Sequence, residues 1–317
     1  MSLPAMLEGR LTLPLIGSPM FIVSQPALVI AQCRAGIVGA FPSLNARPSG
    51  KFELWLQQLT ETLTGRDAPF AVNLIVHRTN SRLEEDLALC VKYRVPIVIT
   101  SLGAREDVNA AVHSYGGIVM HDVINNVFAR KAIEKGADGL IAVAAGAGGH
   151  AGTLSPFALV EEIRAWFDGP LALSGAIATG RSIAAARMMG ADFAYMGSPF
   201  IATEEANADA GYKQMIVDSG AGDIVYSDFF TGVHGNYLRP SISAAGLDAD
   251  NLPKAREMDF GSIAGGDKKA WRDVWGAGQG IGAIHKVQSA TSFIEQLRAE
   301  YQAAITAFNS SEKHAIP

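Results

Sequence analysis

A glycine-rich segment with one histidine is the first part of this sequence that could do chemistry. Residues 141–154 read IAVAAGAGGHAGTL, an apolar run followed by Gly148, Gly149 and His150. An imidazole titrates near neutral pH, so it can orient an anion or remove a proton. Glycines let a flat ring approach the backbone because they lack a Cβ atom. We therefore predict that His150 is catalytic and lies over a bound ring; a surface histidine without function is the alternative.

The same segment is a poor dinucleotide-binding fingerprint. It fits G-x-G-x-x-G/A through Gly146, Gly148 and Ala151, but the next predicted helix begins only near Pro156. No acidic residue is placed to bind a ribose. We therefore do not predict a dinucleotide at this loop.

Two other turns contain the small residues that an anion site needs. SGAIATG begins with Ser174, Gly175 and Ala176, and MGSPF contains Gly197 and Ser198. Backbone N–H groups in such turns can surround an anion, and β/α barrels commonly hold phosphate after strands 7 and 8. The turns predict a phosphate-bearing cofactor, with plain tight turns as the alternative.

Other polar and aromatic residues are weaker candidates. Asn73 and His121 end apolar runs, where each could contact a cofactor, but a loop-capping asparagine and a satisfied buried histidine are equally good explanations. No two histidines have metal-ligand spacing, and Cys33 and Cys90 lack nearby partners, so we predict no metal. Aromatic residues later in the chain could line a pocket or form a local core, namely Tyr226, Phe229, Phe230, Tyr237 and Trp275.

The elements that must position these residues alternate between short apolar runs and helical stretches. Eight strands each followed by a helix close a sheet on itself, whereas an open doubly wound sheet usually needs about five or six strands. We therefore predict an α/β fold, a (β/α)8 TIM barrel whose carboxyl strand ends gather the candidate residues on one face. The predicted strands cover residues 13–20, 36–41, 69–76, 95–102, 117–122, 138–145, 170–177 and 192–198.

Three parts of the chain are predicted. Residues 1–218 form the barrel, residues 219–288 form a smaller cap or substrate-pocket region, and residues 289–317 form a helix and tail that pack back on the barrel. The cap region contains WGAGQG at 275–280, which lacks the Gly-Lys-Ser/Thr of a nucleotide P-loop. We therefore do not predict phosphate binding by that stretch.

Composition excludes several classes of partner. The 317 residues carry a formal net charge of −5 and no run rich in lysine and arginine, which argues against nucleic acid. No uncharged apolar run approaches the ~18 residues needed to span a bilayer, and the first residues do not form a signal peptide. We expect a cytoplasmic protein with a small-molecule substrate and no membrane partner; its oligomeric state is not predicted.

These motifs together resemble the nitronate monooxygenase family, formerly called 2-nitropropane dioxygenases. Members of that family are FMN-dependent barrels, related to flavin-dependent enoyl-acyl carrier protein reductases and NADH:quinone reductases. The order GGHxG, SGxI and MGS is specific for the superfamily and much less specific for the reaction. The resemblance is carried by Pro19-Met20, Asn73, GAGGHAG with His150, SGAIATGRS, GADFAYMGSPFIAT and WGAGQG.

The resemblance implies a cofactor, a site and a reaction. FMN would lie over the barrel mouth, and His150 would position or deprotonate a nitro compound. The reaction implied is oxidation of alkyl nitronates with O2 to a carbonyl compound and nitrite. The predicted substrate-pocket residues are Tyr226, Trp275 and Gly276. The predicted cofactor-binding residues are Pro19, Met20, Phe21, Asn73, His121, Gly148 and Gly149, with the phosphate on Ser174, Gly175, Ala176, Gly197 and Ser198.

Three residues depart from the family pattern. Asp122 stands where some relatives carry lysine, which removes a positive charge near the flavin and alters how readily it is reduced. Ala176 replaces a glycine that is often present, and Gly276 stands where some relatives carry serine.

Two other functions stay open at this point. An NAD(P)H-dependent reductase of quinones or enoyl thioesters would need room for nicotinamide over the flavin. A non-catalytic barrel that binds a phosphate ligand would be purified colourless and would take up no flavin.

Overall fold

A closed parallel sheet forms the centre of the computed structural model, which describes residues 5–48, 50–253 and 274–312. Its strands are β1 (Leu15–Gly17), β2 (Gly39–Pro42), β3 (Phe70–Ile75), β4 (Ile97–Ser101), β5 (Ile118–Val123), β6 (Gly139–Val143), β8 (Leu171–Ser174) and β9 (Phe193–Met196), while β7 (Gly149–His150) belongs to a second sheet. The strand order around the barrel is β1-β9-β8-β6-β5-β4-β3-β2, and a bridge between Ile16 and Val38 joins the two edges. The predicted (β/α)8 barrel is confirmed.

Helices cover the outside of the barrel and continue beyond it. Local chemistry sets several of their starts: Pro156 occupies the first turn of its helix, and Thr179 accepts a hydrogen bond from the Ser182 N–H in a capping box. The helices are α1 (Pro26–Arg34), α2 (Lys51–Thr62), α3 (Leu83–Lys92), α4 (Glu106–His113), α5 (Asn126–Glu134), α6 (Pro156–Arg164), α7 (Gly180–Met188), α8 (Ser198–Ile201), α9 (Ala210–Asp218), α10 (Arg239–Ala244) and α11 (Ala290–Glu312).

Each barrel strand buries both of its faces. Side chains alternate along a strand, so one set packs against the helices and the other fills the lumen. The lumen set forms one apolar cluster, which we call the apolar plug. Because the plug fills the lumen, the place for a ligand is the mouth, where the carboxyl ends of the strands lie. The plug consists of Ile16, Val38, Ala40, Ala71, Ile97, Ile99, Met120, Ile141, Ala172 and Phe193.

A small antiparallel sheet joins the region after the barrel to the segment that contains His150, residues 146–152, which we call the histidine loop. Its strands are β10 (Ile224–Ser227), β11 (Gly235–Leu238) and β7 (Gly149–His150), with β11 in the middle. The segment GAGGHAG was predicted as a loop, but its Gly149 and His150 pair with Asn236 and Gly235. The division at residues 218 and 288 stays a prediction, and residues 254–273 of the predicted cap lie outside the described residues. Within the part of the chain that the structure describes, no helix is both long and apolar enough to span a bilayer.

The long helix α11 packs against α7 through a glycine. A Cβ atom at Gly180 would overlap the Leu297 carbonyl oxygen and the Tyr301 nitrogen. The Gly180 N–H also donates to Glu300 Oε2 at 2.8 Å. The absence of a side chain at this position therefore lets the two helices approach backbone to backbone.

We expect Gly180→Ala to lower the free energy of unfolding by about 1–3 kcal/mol, because either α7 or α11 must shift to admit the methyl group. Urea denaturation of the apoprotein measures the change. The matched control is Gly65→Ala, since a Cβ atom there would meet nothing within 4 Å. An equal loss in the two variants would contradict the close packing.

Candidate active site

Four chain segments meet at the mouth of the barrel and form a cradle. The Gly146 carbonyl oxygen accepts hydrogen bonds from the Ala176 N–H at 3.2 Å and the Gln279 N–H at 2.9 Å. The Ser198 Oγ accepts one from the Gly278 N–H at 2.8 Å. The histidine loop, the two predicted phosphate turns and the WGAGQG stretch therefore lie side by side; we call them the glycine cradle (residues 146–148, 174–176, 197–198 and 276–280).

Glycine is required at the contacts within this cradle. A Cβ atom at Gly278 would lie 2.6 Å from the Gly146 oxygen, and one at Gly148 would lie 2.9 Å from Ser198 Oγ. Gly175 has a φ of +145°, and its added Cβ atom would lie 2.8 Å from the Ala145 oxygen. These distances are shorter than any Cβ contact that a folded chain accepts. The sequence interpretation missed residues 278 and 279, although glycines at 276, 278 and 280 were the signal.

Ala176 differs from its neighbours in the cradle. Its φ of +53° lies in the left-handed region that glycine adopts more readily. Its N–H donates to the Gly146 carbonyl oxygen, so this N–H stabilises the cradle itself rather than pointing at a ligand. Direct contact between Ala176 and a phosphate stays a prediction. The hydrogen bond from its N–H to Gly146 does not favour that contact.

The loop after β1 borders the cradle on the β9 side. A Cβ atom at Gly197 would lie 3.5 Å from Met20 Sδ. The Asn45 side chain donates to the Met20 carbonyl oxygen at 2.9 Å and thereby fixes the loop. Pro19 and Phe21 are half-buried, and the Phe21 ring lies 5.5 Å from the Arg47 guanidinium. The structure thus places Pro19, Met20 and Phe21 at the mouth, as the proposed contacts require.

Polar residues cover the apolar plug at the mouth, and we call them the polar layer (Asn73, Ser101, Asp122 and Tyr195). Each shares the lumen face of its strand with a plug residue. The Asn73 Nδ2 donates to Ser101 Oγ at 2.7 Å, and Ser101 Oγ donates to Asp122 Oδ2 at 2.5 Å. Tyr195 is hydrogen bonded to the Ser18 side chain, and burial raises its pKa. The polar layer therefore offers hydrogen-bonding groups to a ligand that binds at the mouth.

His121 lies on the other face of its strand. It shares the face of Val119 and Val123, which pack in the strand–helix layer, and its Nδ1 is 2.6 Å from the Thr100 Oγ1. Burial lowers its pKa to about 4. The structure therefore gives His121 the satisfied, buried arrangement that was the alternative to cofactor contact. The adjacent residue, Asp122, faces the lumen instead.

His150 is held between the cradle and the small sheet. It follows Gly148 by two residues, which limits the distance between their Cα atoms to about 7 Å. Its Nε2 lies 3.0 Å from Thr231 Oγ1, and the Thr231 hydroxyl donates to the Val233 carbonyl oxygen at 3.0 Å. The Thr231 hydroxyl thereby links the imidazole to the backbone at Val233 and limits the rotation of the ring. Burial lowers the pKa of His150 to about 4.

The predicted pocket residues have different surroundings. Tyr226 donates to the Ala151 carbonyl oxygen at 3.0 Å, and its ring stacks on His234 with centroids 5.0 Å apart. Trp275 stacks on Tyr212 of α9 at 4.9 Å, and the Tyr212 hydroxyl donates to the Gly276 carbonyl oxygen. Tyr226 therefore borders the segment that contains His150, whereas Trp275 and Gly276 contact α9. Their contact with substrate stays a prediction.

Cation ligands do not converge in the described residues. Across residues 5–48, 50–253 and 274–312, no three His, Cys, Asp or Glu side chains are arranged as metal ligands.

Comparisons with known proteins agree with this architecture. A family model described as nitronate monooxygenase matches residues 6–300. A nitronate monooxygenase from Paraburkholderia phytofirmans is 26% identical over 283 residues, which are 74% of this chain and 76% of that protein. FabK from Thermotoga maritima has a TM-score of 0.81 at 24% identity, covering 96% of this chain and 97% of that one. The nitroalkane oxidase from Streptomyces ansochromogenes has a TM-score of 0.81 at 24% identity, covering 96% and 100%. At such identity the two solved structures support the fold alone.

We expect the His150 imidazole to titrate with a midpoint near 4 in the folded protein. The folded pKa is depressed below its ordinary value near 6.5, so the stability gained by keeping His150 neutral is complete above about pH 6.5 and is lost as the pH falls through about 4. An NMR titration, with the signal identified by its absence in His150→Gln, measures the midpoint. Urea denaturation should show a smaller loss of stability over the same range in His150→Gln. A midpoint near 6.5 would contradict the buried, neutral state.

Proposed function

This chain belongs to the nitronate monooxygenase family, and we propose that it binds FMN and oxidises alkyl nitronates with O2 to a carbonyl compound and nitrite. The family and its named relatives make it an oxidoreductase. The observation that carries the finer proposal is the position of His150, a neutral imidazole fixed by Thr231 beside a cradle that excludes side chains.

The residues at the mouth fit a flavin in two respects. The glycine cradle packs backbone against backbone, which brings the two turns proposed to hold the phosphate beside the segment before His150. Ser198 Oγ accepts from the Gly278 N–H, which leaves the hydroxyl proton to donate to a phosphate oxygen. We propose that the phosphate lies at Ser174, Gly175, Gly197 and Ser198, and that the ring lies over the polar layer. When bound, FMN would supply the acceptor for substrate electrons.

His150 can act on a nitro compound in its neutral form. A neutral imidazole has one ring-nitrogen lone pair, which can accept a proton from the carbon next to the nitro group of a neutral nitro compound. An anionic nitronate bound beside the ring would raise the pKa of His150, because an opposite charge stabilises the imidazolium. The protonated ring would therefore hold the nitronate once it has formed or bound. Thr231 contributes by orienting the ring.

Tyr226 is the pocket residue that the structure supports best. Its hydroxyl is held by the Ala151 carbonyl oxygen, one residue after His150, and its ring is only partly buried. We propose that it borders the substrate and limits the access of water to the imidazole. Gly148 and Gly149 then form the other side of the space in which the nitro group meets the ring.

We expect Gly278→Ala to weaken FMN binding at least tenfold, because the methyl group would force the Gly146 carbonyl oxygen and the Gly148 backbone apart. Quenching of flavin fluorescence on titration of the apoprotein measures the dissociation constant. Gly222→Ala is the matched control, since a Cβ atom there would meet nothing within 4 Å. Unchanged affinity in Gly278→Ala would place the phosphate elsewhere.

We expect His150→Gln to retain FMN but to lower kcat/KM on a neutral nitroalkane by a factor of about 10², which is the usual contribution of a positioned acid or base. Oxygen consumption and nitrite release measure the rate. His113→Gln is the control, because His113 lies on α4 and contacts Asp138. Unchanged kinetics in His150→Gln would remove this residue from the mechanism.

The same holoenzyme distinguishes the rival reaction. The nitronate proposal predicts oxygen consumption that depends on nitronate and needs no pyridine nucleotide. Rapid bleaching of the flavin by NADH under anaerobic conditions, with no turnover of nitronate, would instead identify a reductase of quinones or enoyl thioesters.

A further inference from the structure

The carboxylate of Asp122 lies in the barrel lumen at the mouth, although the strands around it are mostly apolar. It shares the lumen face of β5 with Ile118 and Met120, and Met120 belongs to the apolar plug. The lumen face of β4 brings Ser101 beside it. A charged group in this place is costly, and a buried carboxyl is retained at such a position when it has a partner.

The rest of the polar layer supplies a hydrogen-bond donor to one oxygen of this carboxyl. The two protons of the Asn73 amide go to the Ile99 carbonyl oxygen at 3.1 Å and to Ser101 Oγ at 2.7 Å. The Ser101 hydroxyl proton goes to Asp122 Oδ2 at 2.5 Å. The chain of donors therefore runs in one direction, from Asn73 through Ser101 to Asp122, and ends at Oδ2.

The other oxygen is buried without a hydrogen-bond partner among the described residues. No described group donates a hydrogen bond to Asp122 Oδ1. The side-chain donors of Asn73 and Ser101 already have other acceptors. Leaving a buried charged oxygen without a donor costs the full desolvation free energy of that oxygen. Burial raises the pKa of Asp122 to about 6, although the Ser101 hydrogen bond acts in the opposite direction. The carboxyl is therefore largely ionised at neutral pH and lacks one donor.

The titratable neighbour that faces Asp122 is Tyr195. The negative charge of Asp122 contributes to the raised pKa of that phenol, whose hydroxyl is engaged with the Ser18 side chain. The facing groups on β3 and β4 are the Asn73 amide and the Ser101 hydroxyl, which do not titrate. Asp122 is thus the group of the polar layer that changes charge in the range of about pH 4 to 7.

We infer that Asp122 Oδ1 accepts a hydrogen bond from an N–H or hydroxyl group of the bound flavin, and that Asn73 and Ser101 hold the carboxylate in position for it. The inference rests on the proposed binding of FMN at this mouth. Oxidised flavin carries one ring N–H and several ribityl hydroxyls, so it brings the donor that the polar layer lacks. Binding then favours the ionised carboxylate, and the affinity for flavin should rise with pH as Asp122 loses its proton.

The test compares flavin affinity in the wild type and in Asp122→Asn across pH 5 to 8. Riboflavin serves as a second probe, because the phosphate of FMN titrates in the same range. We expect the variant to bind either probe about tenfold or more weakly than the wild type at pH 8, and the difference to shrink toward pH 5. The matched control is Asp168→Asn, an exposed carboxylate ahead of β8.

A second variant covers the case in which Asp122→Asn does not fold. Ser101→Ala removes the donor to Oδ2 and should raise the pH at which the affinity changes, while leaving the carboxylate in place. A ratio of affinities that is independent of pH in Asp122→Asn, or no movement of the midpoint in Ser101→Ala, would overturn the inference while flavin binding itself stands. A wild type that binds neither probe would overturn the proposed function as well.

Discussion

The alternation of side chains along the barrel strands is the constraint on which this site depends. It decides which residue of each strand reaches the lumen and which packs under the helices. In β5 it places Asp122 over the apolar plug and turns His121 toward Thr100. A shift of one residue in that strand would exchange the two, so the electrostatics of the mouth follow directly from strand register.

Close backbone contact is the second physical basis of the site. The Gly146 carbonyl oxygen accepts two hydrogen bonds, one from a barrel turn and one from the stretch after residue 275. These contacts connect parts of the chain that are far apart in sequence. The barrel supplies three of the four segments of the cradle, and residues 276–280 supply the fourth.

The fold was predictable because its signal is local. Apolar runs of strand length that alternate with helical stretches repeat eight times, and the two phosphate turns follow the runs where a barrel collects them. The site was predictable only in part. His150 was visible as a lone imidazole among glycines, but its partner Thr231 lies 81 residues away. Strands buried on both faces show no alternation in their sequence, so nothing distinguished the lumen-facing Asp122 from His121. Ser101 was missed for the same reason.

The pairing of β7 with β11 links the imidazole to a part of the chain that comes after the barrel is complete. The backbone of His150 is paired with Gly235, and its ring is oriented by Thr231 in the same region. The orientation of the imidazole therefore depends on two parts of the chain that are far apart in sequence. Replacing residues 224–238 with those of a relative would alter the angle of the imidazole as well as the pairing of the backbone beside it, so the two cannot be redesigned independently.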